Sequence, residues 1–111
     1  MYEGIMKIPK KIIILGIPYK VKLVNSMTKI LKELDITEEE GDKQAIGYVL
    51  CKNSMILIDR KTSQENQEST FIHEILEVIN DSLELNLVHR NISSLEASLY
   101  QVLKDNKLLR S

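Results

Sequence analysis

Thr62-Ser-Gln-Glu65, followed by Thr70-Phe-Ile-His-Glu-Ile-Leu-Glu-Val-Ile79, is the stretch on which the fold turns. Its first four residues have the order of a capping box, in which the Thr hydroxyl and the Glu carboxylate satisfy free amides at a helix start. Downstream, Ile72, Ile75, Leu76, Ile79 and Leu83 recur at helical spacing and define a core-facing stripe. Cap and period together predict a helix over 62–84.

Beyond this helix, Leu85 to Arg90 is a connector, and Asn91 is a good cap for a last helix over 91–104. Ile92, Leu95, Leu99, Val102 and Leu103 fall on one side of it. Upstream of the long helix the pattern changes to strands. Gly47–Cys51 and Met55–Asp59 form one predicted hairpin, joined by Lys52-Asn-Ser54, with Asn53 able to take the left-handed conformation. Ile12–Leu15 and Tyr19–Val24 form another around the turn Gly16-Ile-Pro18. Between the hairpins, Met27, Ile30, Leu31 and Leu34 suit a short helix over 26–34, and Asp35–Asp42 is an acidic, exposed loop. The expected fold is therefore α+β: a small antiparallel or mixed sheet of three to four strands, packed on the motif-bearing helix and a C-terminal helix.

A chain of 111 residues fits one domain, 1–111, with residues 1–5 as a flexible extension ahead of the smoother start at Met6. At 43% hydrophobic residues it can build a core without disulfides, and its single Cys51 has no internal partner, which fits a reducing compartment. The bland reading of Cys51 is a small apolar strand residue. Fifteen basic against sixteen acidic residues give a net charge of −1, which offers no phosphate-binding surface, so nucleic acid is not an expected partner. The basic cluster of Lys7, Lys10, Lys11, Lys20 and Lys22 is expected to be a solvated face. No apolar run approaches the roughly 20 residues of a membrane span, and the N-terminus lacks the layout of a secretory signal. The expected address is the cytoplasm.

On the long helix, His73 and Glu77 are four residues apart, which separates them by about 40° around the axis and roughly 6 Å along it. Both side chains can reach one metal ion. Glu74, about 100° from His73, is placed to touch a metal-bound water without being a ligand itself. A catalytic zinc takes three protein ligands and keeps an open position for water, whose pKa it lowers toward about 7. A neighbouring carboxylate then accepts the proton. The only other histidine, His89, precedes the final helix, and a helix hairpin folds that region back toward the His73/Glu77 face. Glu96 is a second choice of third ligand, with a solvated glutamate as the plainer reading. Tyr100 is expected to pack on the long helix, with an oxyanion contact as the alternative, and Asp81 to be a helix-end residue or an acceptor for an imidazole.

Ile8-Pro-Lys-Lys-Ile12, a strand ending in Ile-Leu-Ile-Asp59, Ser63-Gln-Glu-Asn66, Thr70-Phe-Ile-His-Glu74 and Leu99-Tyr-Gln-Val-Leu-Lys-Asp-Asn106 give the chain a resemblance to the zincin metallopeptidases. It is most similar to their small phage and prophage members, which would place it in a host cytoplasm. The resemblance implies a zinc-dependent peptidase with Glu74 as general base and a peptide or protein as substrate. The usual motif is His-Glu-x-x-His, and Glu77 stands where the second His is expected. Two readings follow. The site has lost its metal, leaving a non-catalytic, protein-binding or regulatory zincin-like protein. Or ligands are exchanged, with Glu77 supplying the carboxylate and His89 the second imidazole beside His73.

Overall fold

The computed structural model describes residues 7–33, 47–50 and 54–108. The expectations for residues 1–5, Asp35–Asp42, Cys51 and Asn53 lie outside them. The elements run β1 (Lys11–Ile14), β2 (Ile17–Val24), α1 (Met27–Glu33), β3 (Gly47–Leu50), β4 (Met55–Asp59), α2 (Gln64–Ser82) and α3 (His89–Asp105). The architecture is the expected α+β one. Both hairpins form, and they join through a parallel pairing of β2 with β4, giving a four-stranded mixed sheet in the order β1-β2-β4-β3.

The first hairpin turns one step earlier than its Gly16-Ile-Pro18 reading. Ile14 pairs with Ile17, so Leu15 and Gly16 alone make the loop, with φ of 51° and 84°. Positive φ at both central positions gives the twist that matches the flanking strands. Pro18 is tolerated within β2 because pairing to β4 begins only at Lys20, so its missing N–H costs no bond on that side.

Each face of the sheet has its own core. Ile14, Tyr19, Val21, Ile56 and Ile58 meet Phe71 and Val78 of α2, while Val24, Met55 and Leu57 on the other face meet Met27 of α1. β4 is therefore buried on both faces, which explains its unbroken apolar run of Met55 to Ile58.

α2 is shorter than the 62–84 expectation by two residues at each end. Ser63, not Thr62, is its N-cap: the Ser63 hydroxyl accepts the N–H of Asn66 at 3.1 Å. Thr62 instead accepts from the Asn66 side chain, and Glu65 faces solvent near Lys104. The register is fixed by Gln67, whose amide donates to the carbonyls of Arg60 and Thr62 and ties the incoming chain to the helix. At the far end, positive φ at Glu84 and Asn86 stops the helix and leaves Leu83 exposed.

α3 begins at His89, with Val88 rather than Asn91 as its N-cap. It packs chiefly on α2. Its buried residues are Ile92 and Tyr100, whereas Leu95, Leu99 and Val102 of the expected stripe are 47%, 41% and 52% exposed. The inward row is Ile92–Glu96–Tyr100, one residue per turn, with a carboxylate at its centre. No helix among the described residues is long and apolar enough to cross a membrane.

Candidate metal centre

Phe71 and Ile72 anchor α2 in the core, and the helical rotation of about 100° per residue then carries His73 into the seam with α3. Its side chain is 14% exposed, and Glu77, one turn on, is 38% exposed. His73 Nε2 lies 3.9 Å from Glu77 Oε1. The third member arrives across the connector. Asn80 of α2 holds the backbone of Leu87 through two hydrogen bonds, and α3 starts two residues later with His89.

The two imidazole rings are 5.1 Å apart between centroids and tilted by 58°, an angle of convergence rather than stacking. One donor atom each from His73, Glu77 and His89 lie within 4.8 Å of one another. Ligand atoms about 2.0–2.2 Å from a tetrahedral zinc are roughly 3.3–3.6 Å apart. The donor atoms would have to draw closer to share one ion, and two imidazoles with one carboxylate are a donor set that suits a divalent transition metal. His89 is exposed, so the group opens to solvent on that side. Its Nε2 sits 3.3 Å from the Ser93 hydroxyl, one turn along α3.

Glu74 is buried, at 6% exposure. Burial is the main cause that pushes its carboxyl up to about 8, and the charges of Glu77 and Glu96 add to it. Glu74, next to His73 in the chain, therefore feels the charge of Glu77 and Glu96 and holds a proton near neutral pH when no cation is present.

Glu96 is neither a solvated glutamate nor a member of the three-donor group. Its Oε1 is 2.8 Å from His73 Nδ1, and its Oε2 accepts the Ser69 hydroxyl. Glu96 thus takes the imidazole-acceptor role considered for Asp81, which lies exposed at the end of α2. Tyr100 packs on α2 as expected, but its hydroxyl is committed elsewhere. It donates at 3.0 Å to Glu68, a fully buried carboxylate that also accepts from Gln64 at 2.9 Å.

Two residues that serve the site were not singled out from sequence: Ser69 and Asn80. Ser69 precedes His73 by one turn, so the same four-residue spacing that points to Glu77 points to it as well. No family model, curated protein or solved structure matches the chain.

Proposed function

We propose that the chain is a zinc-dependent peptidase acting on an extended peptide or protein segment. The observation that carries this reading is the convergence of His73, Glu77 and His89 across the α2–α3 seam, next to the buried acid Glu74. Zinc bound there supplies a Lewis acid for a scissile carbonyl and acidity for a water. His73, Glu77 and His89 would hold it. Glu74 accepts a proton from the attacking water and returns it to the leaving amine. Its high affinity for a proton is suited to that work only beside a cation, which favours the carboxylate form. β3, the outer strand among the described residues, neighbours α2 and offers a backbone edge along which a substrate can lie extended.

The test is Glu74→Gln in protein loaded with zinc. Cleavage of a peptide library should vanish while zinc content and folding are retained, because the amide cannot accept the proton. Equal loss of metal would assign Glu74 to metal binding instead, and a wild type that holds zinc but cleaves nothing would overturn the peptidase reading.

One observation favours a second reading, a non-catalytic zincin-like protein that binds or regulates another protein. Leu95, Leu99 and Val102 form an exposed apolar row on α3, at a spacing that suits contact with a partner helix.

A further inference from the structure

We propose that Glu96 and Ser69 are positioning residues that lock the tautomer of His73, and that this lock, rather than direct ligation, is what Glu96 contributes. The inference rests on the zinc-site reading for its purpose, but not for its geometry.

A carboxylate oxygen can only accept a hydrogen bond. Oε1 of Glu96 at 2.8 Å from His73 Nδ1 therefore calls for a proton on Nδ1. In the neutral ring the lone pair is then on Nε2, the nitrogen that faces Glu77 Oε1 at 3.9 Å. An imidazole without such a partner samples both tautomers, and one of them turns an N–H toward the place a cation would occupy. The acceptor also makes the ring a more basic ligand.

Glu96 is itself held. Ser69, one turn before His73 on α2, donates its hydroxyl to the other carboxylate oxygen. Glu96 comes from α3, between Ile92 and Tyr100 on the buried row, so its backbone is fixed by packing on either side. With one oxygen on Ser69 and the other on His73, turning Glu96 outward to become a ligand would break both bonds. The side chain is 21% exposed, so replacement by water is restricted. The same three residues thus fasten α3 to α2 and aim the first ligand.

The experiment uses the full chain, free of metal, at a pH where both imidazoles are neutral, and reads the tautomer of each ring by nitrogen-15 NMR. His73 should be protonated at Nδ1. Glu96→Leu should shift it toward Nε2–H or a mixture, and Glu96→Gln, whose amide oxygen still accepts, should restore Nδ1–H. In a parallel zinc titration Glu96→Leu should weaken binding about 10–100-fold, and Glu96→Gln less. Ser69→Ala keeps the Glu96 acceptor and should give a smaller change in the same direction. It serves, with the wild-type tautomer, as the deciding comparison if Glu96→Leu does not fold. A wild-type His73 protonated at Nε2, or an Nδ1–H form indifferent to Glu96, would overturn the proposal even if zinc binds. The predicted tautomers in a chain that binds no zinc would uphold the lock and overturn the metal reading alone.

Discussion

The side-chain amide of Asn80 grips both backbone groups of Leu87: its Nδ2 donates to the carbonyl at 3.1 Å, and its Oδ1 accepts the N–H at 2.9 Å. This clamp closes the turn between α2 and α3 and sets where α3 starts, which decides whether His89 meets His73. Asn80→Ala should remove two part-buried bonds and destabilise the protein by about 1–3 kcal/mol, read by urea denaturation. Zinc affinity should fall with it in protein that is still folded. Asn80→Asp keeps the acceptor and loses the donor, and should lie between the two.

Tyr100 and Glu68 make a separate polar centre inside the α2–α3 packing. Tyr100→Phe removes one donor from a carboxylate with no solvent exposure. The expected cost is about 1–3 kcal/mol of stability, with zinc affinity unchanged. Chemical denaturation beside a zinc titration checks both parts, and a large loss of affinity would bring Tyr100 back into the metal site.

Glu74 gives the metal-free protein a pH dependence of definite sign. Its folded pKa, about 8, lies above the ordinary value of 4.5, so between those limits the folded state binds more protons than the unfolded one. Stability from this group is complete below about pH 4.5 and declines as pH rises toward 8, by on the order of a few kcal/mol. Glu74→Gln should flatten that decline and stabilise the metal-free protein near pH 8. Zinc binding at pH 7 should release the Glu74 proton, seen calorimetrically as a heat that varies with the ionisation enthalpy of the buffer.

Exchanging ligands tests whether His89 and Glu77 share one site. Glu77→Ala and His89→Ala should each weaken zinc binding strongly. Glu77→His combined with His89→Glu keeps two imidazoles and one carboxylate, and should bind better than the worse of its two single changes. Residues acting on one ion couple rather than add. Additive effects in zinc titrations would remove His89 from the site.

The long helix, its His-Glu pair and the two hairpins were legible because each leaves a local mark. Helical period marks α2, Gly16 marks a turn, and four-residue spacing puts His73 beside Glu77. The three-donor group was reachable too, since a short connector must return His89 toward α2. What stayed hidden depends on neighbours. Thr62 and Ser63 are both good caps, and only Gln67 bonding back to Arg60 and Thr62 selects Ser63. Leu95, Leu99 and Val102 look like a core stripe from period alone. The row that α2 covers is instead Ile92–Glu96–Tyr100, and it was masked because a carboxylate sits in its middle. The role of Glu96 follows from a partner 23 residues away, beyond any local pattern.

The most direct measurement is the metal content of the chain purified without chelator, by elemental analysis, with zinc titration of the stripped protein as its companion. One zinc per chain is expected, and less than a tenth of that in His73→Ala. A folded wild-type protein that carries no zinc and takes up none on titration would contradict the zinc-site reading.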